Sequence, residues 1–227
     1  MTPIRRALAV AALALVASVG CVPQGPNLAP WLYVDPDPAT APTQPRRIIV
    51  GDSLTAEAEA LAKDAWKPTG AAVSYQAFGA TRWDHWYERF QNVPTGATVL
   101  VALGTNDLSN LTVQQAEWNT LAGLNVLADR APACVVVFSL NSTSASYRSP
   151  ATQAETATYN GWLRELVAAG TYPFLGLYDW EAESAGHPEY LDLPTDPIHH
   201  TDLGHAAYIA AQVNGPSACP ASPAQPG

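Results

Sequence analysis

Five short apolar runs recur through the middle of the chain, at 47–50, 72–77, 97–103, 135–138 and 174–178. Each is too short for an ordinary helix, and apolar residues sit side by side in them, so they read as strands buried on both faces. Between and after them, apolar positions fall three and four apart at about 54–66, 82–91, 112–130, 151–169 and 202–213. That spacing predicts helices. Local signals agree with it. Thr112-Val113-Gln114-Gln115 has the form of a capping box, and Gly170 stands where a helix should stop. Thr201 occupies the N-cap position of the last helix, which leaves Asp202 in its first turn, where an acid suits the dipole. Strand and helix in alternation predict an α/β fold with a parallel sheet between two layers of helices. No internal repeat is visible.

The pattern changes at both ends. Arg5 and Arg6 precede an apolar run from Ala7 to Val19, closed by small residues. This reads as a signal peptide over 1–20, since the run suits export and is short for a membrane span. Gly20-Cys21 resembles a bacterial lipobox, which implies lipidation of Cys21; Ser18 stands where that motif usually has Leu, and ordinary secretory cleavage is the alternative. Residues 21–45 form a Pro-rich linker, with seven prolines between Val22 and Pro45. Such composition makes an extended spacer, interrupted here by Trp31-Leu32-Tyr33-Val34. The globular domain is expected over 46–214, with a Pro-rich tail at 215–227.

Composition supports one well-filled domain: 48% of residues are hydrophobic and 14% charged. A formal net charge of −9 repels phosphate backbones and argues against nucleic acid as a partner. Export also bears on the cysteines. In an oxidising compartment Cys134 and Cys219 form a disulfide candidate. Crossover helices run antiparallel to their strands, so the last helix should end where strands begin, close to Cys134. Two buried or free thiols are the other reading.

Candidate chemistry collects at the carboxyl ends of the strands, where open α/β sheets hold their ligands. The first strand ends in Gly51-Asp52-Ser53-Leu54, the second in Ala77-Phe78-Gly79-Ala80-Thr81, the third in Leu103-Gly104-Thr105-Asn106-Asp107. After the fifth comes Asp196-Pro197-Ile198-His199-His200. Taken together and in this order, these blocks resemble the SGNH (GDSL) hydrolases across residues 46–213. The resemblance implies a flavodoxin-like three-layer α/β/α sandwich with a five-stranded parallel sheet, the SGNH hydrolase fold, and serine-dependent ester hydrolysis. Pro197 and His200 depart from the usual residues of the last block.

The physical roles fit. Ser53 needs a base, His199 can supply it, and Asp196 lies near enough to orient the imidazole. The Ser53 and Gly79 N–H groups and the Asn106 side chain are candidate oxyanion donors. Simple helix capping is the competing reading of Ser53. Asp202-Leu203-Gly204-His205 repeats the Asp-x-x-His spacing. Asp196 and His199 are preferred because Asp202 belongs to the last helix, and because family members commonly carry a glycine five residues after the histidine, here Gly204. Asp52 reads as a turn or cap residue, with tuning of the nucleophile as its alternative, and Asp107 as shaping the turn that presents Asn106. Trp83, Trp86, Tyr87 and Phe90 form a core stripe, although Trp83 or Trp86 could instead reach an acyl or sugar pocket.

No cofactor or metal is expected. His85, Glu88 and His187 make no convincing ligand cluster, and Gly51 lacks the further glycines and the Lys of a phosphate loop. The sequence therefore predicts an exported esterase acting on a small-molecule or polysaccharide ester, with a lipid anchor to the membrane if Cys21 is modified. An acyltransferase using the same acyl-enzyme and an idle wall-associated binding module are the alternatives. The first is kept open by Tyr178-Asp179-Trp180 through His199, which resembles SGNH domains attached to membrane acyltransferases.

Overall fold

The structure, a computed structural model, describes residues 46–193 and 195–221. The expected signal peptide over 1–20, Cys21, the expected linker over 21–45 and the end of the tail lie outside the described residues. Five parallel strands form the central sheet: β1 (Arg46–Gly51), β2 (Ala72–Ala77), β3 (Thr98–Ala102), β4 (Cys134–Phe138) and β5 (Leu175–Tyr178). Their order is β2-β1-β3-β4-β5, the flavodoxin-like arrangement. The helices are α1 (Ser53–Trp66), α2 (Tyr87–Phe90), α3 (Thr105–Asn110), α4 (Val113–Ala128), α5 (Ser142–Arg148), α6 (Pro150–Ala168), α7 (Trp180–Ser184) and α8 (Asp202–Asn214). A small antiparallel pair, β6 (Leu191–Asp192) and β7 (Asp196–His200), precedes α8.

Alternation along the strands divides the core in two. Ile48, Val50, Val99, Val101, Val135 and Val137 face one way, onto Trp83, Trp86, Phe90 and the inner sides of α4 and α6. Ile49, Leu100, Val136 and Phe138 face the other way, onto Ala58, Ala62 and Trp66 of α1 and Tyr208 and Ile209 of α8. The sheet is thus covered on both sides, which is why its strands read as unbroken apolar runs.

Two expectations are corrected. The segment 82–91 is not one helix: a 3-10 turn over Trp83–Trp86 leads into the single turn of α2. With three residues per turn, positions i and i+3 eclipse, so Trp83 and Trp86 both enter the core. They are 1% and 0% exposed and pack within the core, and neither lines the cavity beside Leu54. The folded body also continues beyond Asn214. A 3-10 turn at Gly215–Ala218 packs under the sheet, where a Cβ on Gly215 would lie 2.5 Å from Leu100 Cδ2. The turn delivers Cys219 to Cys134, and the two form a disulfide with Cα atoms 5.8 Å apart, at the strand-start end of the sheet.

Candidate active site

At the end of β1 the chain turns into α1 with almost no loop. Gly51 allows this, because a Cβ there would lie 2.0 Å from Thr55 Oγ1. Asp52 is extended, and its Oδ1 accepts the Leu54 N–H at 3.1 Å. Asp52 is therefore the N-cap, as its turn-or-cap reading anticipated, and Ser53 is not: it is the first helical residue. Its hydroxyl is left for another partner, and its N–H belongs to the helix end that lacks intrahelical acceptors.

That partner is His199. Its Nε2 lies 3.0 Å from Ser53 Oγ, and its Nδ1 lies 2.6 Å from Asp196 Oδ2. The other carboxylate oxygen of Asp196 accepts the N–H groups of Ile198 and His199 at 3.0 and 3.2 Å. These bonds hold the Asp196 carboxyl below its ordinary range, the one with His199 contributing most. The loop is fixed from two sides: Ser144 Oγ donates to the Pro197 carbonyl at 2.6 Å, and Gly204 lets α8 approach the Tyr190 carbonyl, which a Cβ would meet at 2.1 Å.

The second Asp-x-x-His pair is placed differently. Thr201 caps α8 by accepting the Gly204 N–H at 3.2 Å, and Asp202 sits in its first turn. His205 Nε2 faces Glu57, 3.7 Å from Oε2. His200 is 5% exposed, enclosed by Trp180 and Tyr208, and neither ring nitrogen has a hydrogen-bond partner among the described residues. Burial, reinforced by His205 and His199, pushes its pKa down to about 4.

The three strand-end turns meet at Thr81. Its hydroxyl donates to the Gly51 and Phe78 carbonyls at 3.3 and 2.8 Å, and its carbonyl accepts from Asn106 Nδ2 at 3.2 Å. Gly79 lies between Phe78 and Thr81, and a Cβ built on it would meet nothing within 4 Å, so its backbone borders open space. Asn106 Nδ2 donates a second time, to Asp52 Oδ2 at 3.3 Å. Both amide hydrogens are thereby engaged, and donation to an oxyanion requires one to be redirected or shared.

Asp52 is buried, and loss of solvation, opposed by the Leu54 N–H and helped by Asp107, raises its pKa to about 7. Asp107 does more than shape a turn. It accepts Trp83 N–H and Asn119 Nδ2, each at 3.2 Å, tying α3 to its neighbours, and burial raises it to about 6.

One residue near the site escaped the sequence reading. Glu57 Oε1 lies 3.5 Å from His199 Nε2. The available signal was its spacing, four after Ser53 and so on the same helix face. A small cavity of about 30 Å³ adjoins the site, lined by Leu54, Thr105, Leu140, Asn141, Ile198 and His200 among others. No group of three or more His, Cys, Asp or Glu among the described residues is placed to hold a metal ion. A hydroxyl, an imidazole and a carboxylate in hydrogen-bonded series can activate an oxygen nucleophile.

Comparison with known proteins agrees in fold. The family model for the GDSL-like Lipase/Acylhydrolase family matches residues 49–207. None of the curated proteins compared with the chain matches it. Among solved structures, the chain is similar to the C-terminal catalytic domain of peptidoglycan O-acetyltransferase A from Streptococcus pneumoniae, with 19% identity and a TM-score of 0.57 over 77% of this chain and 93% of that one. It is similar to the lipase/acylhydrolase from Enterococcus faecalis, at 19% identity and a TM-score of 0.59 over 75% and 95%. A third is the acetyl xylan esterase AlAXEase, at 17% identity and a TM-score of 0.60 over 74% and 97%.

Proposed function

The chain belongs to the GDSL-like lipase/acylhydrolase family, and from that membership we propose that it is a serine esterase working through an acyl group carried on Ser53. The observation that carries the reading is the continuous series Asp196–His199–Ser53, with contacts of 2.6 and 3.0 Å. Ser53 Oγ attacks the ester carbon while its proton passes to His199 Nε2, and Asp196 holds the Nδ1 proton and stabilises the imidazolium. The oxyanion is met by the Ser53 and Gly79 N–H groups and by Asn106. The imidazolium then protonates the departing alcohol, and the acyl-enzyme remains.

A small cavity of about 30 Å³ lies beside Leu54 and Ile198, the chain neighbours of Ser53 and His199, and supports a short acyl group as its occupant. Short O-acyl groups on small molecules or surface polysaccharide are therefore the substrates we assign. We read residues 1–20 as an export signal, so that the enzyme works outside the cell or at its envelope, anchored there if Cys21 is lipidated; the Cys134–Cys219 disulfide supports export. The test is Ser53→Ala against an ester panel of increasing acyl length, with acetylated polysaccharide alongside. Turnover should favour acetyl esters and vanish in the variant; a variant retaining a tenth of parent activity refutes Ser53 as nucleophile.

A further inference from the structure

The acyl-enzyme can be discharged by water or by another hydroxyl, and the Ser53–His199–Asp196 series does not itself choose between them. Glu57 lies on the same helix face as Ser53, one turn on. Its Oε1 is 3.5 Å from His199 Nε2 and its Oε2 is 3.7 Å from His205 Nε2. The carboxylate thus stands beside the nitrogen that must accept a proton from the incoming nucleophile. Its side chain is 43% exposed, so solvent reaches it. His205, 14% exposed, borders it on the far side.

We infer that Glu57 holds the deacylating water and so commits the acyl-enzyme to hydrolysis over transfer, an inference that rests on Ser53 being the nucleophile. Once Ser53 is acylated it has no proton to give, and Nε2 is free to accept one. A water bound there directs one hydrogen to Nε2 and the other to Glu57. As its oxygen bonds to the acyl carbon, the first proton moves to Nε2. It passes on to Ser53 Oγ when the ester bond breaks, and the second hydrogen leaves with the carboxylic acid. An alcohol has only one such hydrogen. With that hydrogen on Nε2, its carbon substituent faces Glu57 and strips solvent from a charge without replacing it. The competing role is a strut in which Glu57 merely joins α1 to α8 through His205, a partly exposed pair that contributes little to stability.

The experiment uses p-nitrophenyl acetate with methanol as the competing acceptor, and measures methyl acetate against acetate in the parent, Glu57→Gln and Glu57→Leu. This product ratio reports the deacylation step whichever step limits the overall rate. Acetyl-Ser53 is followed by intact mass after rapid quenching, and melting temperatures are compared. The methyl acetate share should rise about tenfold or more in Glu57→Leu and less in Glu57→Gln, which keeps a polar acceptor, with acetyl-Ser53 accumulating in both. A ratio that is unchanged, or lower, in both variants overturns the inference and leaves the esterase reading standing. A Ser53→Ala variant that turns over p-nitrophenyl acetate as fast as the parent overturns both.

Discussion

Asn106 Nδ2 and Asp52 Oδ2 lie 3.3 Å apart, so the side chain assigned to the oxyanion is bonded to the residue that caps the nucleophile's helix. Asp52 is also the buried acid whose pKa is raised to about 7 from 3.8. An acid with a raised folded-state pKa favours the fold most when protonated. Its contribution is full below 3.8, where the unfolded chain is protonated too, and is lost as pH rises through about 7. Across that window the loss is at most ~1.4 kcal/mol per pH unit. Asp107, raised to about 6, acts in the same direction, while His200, lowered to about 4, opposes it. Both remain in Asp52→Asn, so the difference from the parent isolates Asp52. Urea melts from pH 4.5 to 8 should show the variant gaining on the parent as pH rises. Parallel curves contradict the burial account.

Asn106→Ala tests the amide itself. Its two hydrogens already serve Asp52 and Thr81, and charge to attract one of them exists only in the transition state. The variant should therefore lose about 10²–10³-fold in kcat with little change in KM. A raised KM with kcat intact places Asn106 in ground-state binding instead.

Fluorophosphonate labelling of Ser53 separates the two imidazoles that flank Glu57. His199→Ala should abolish labelling, since it removes the base 3.0 Å from Oγ. His205→Ala should preserve it. Peptide mapping of the label checks both, and the reverse pattern shows that the second Asp-x-x-His pair does the chemistry.

Much of this site was legible because its parts are local. A strand, a turn and a helix are written contiguously at Gly51 to Leu54, and an apolar run reads the same whichever helices cover it. The Thr112 box and the Thr201 cap were visible for the same reason: the partner is three residues away. What stayed hidden depends on distant contacts. The 3-10 form of Trp83–Trp86 accompanies a bond from the Trp83 N–H to Asp107 across the fold. The β6–β7 pair is too short to show a period, and α5 reaches its loop through Ser144. Asp52 and Ser53 are both good caps, so composition could not say which one serves. Glu57 gains meaning only when α8 brings His205 alongside.

Reduction of Cys134–Cys219 should cost stability before it costs activity. The bridge closes 85 residues, which corresponds to roughly 4–5 kcal/mol in the chain-entropy account and a fall of about 10–20 °C in Tm. It lies at the strand-start end, away from Ser53, so mild reduction at low temperature should leave turnover nearly unchanged. Calorimetry and an ester assay on oxidised and reduced protein check this together. Immediate loss of activity means that the bridge holds the site directly.

His199 and His200 are the same side chain at consecutive positions of β7, yet one meets Ser53 in a half-exposed site and the other is sealed beside Trp180 and Tyr208. Parity divides them, because successive residues of a strand point to opposite sides. The identity of the proposed base is therefore a counting property of the segment between β6 and the Thr201 cap. A change of two residues there preserves which imidazole looks outward, whereas a change of one exchanges a solvated base for a dry, uncharged ring. The chain stores the address of the imidazole that meets Ser53 as an odd or even number.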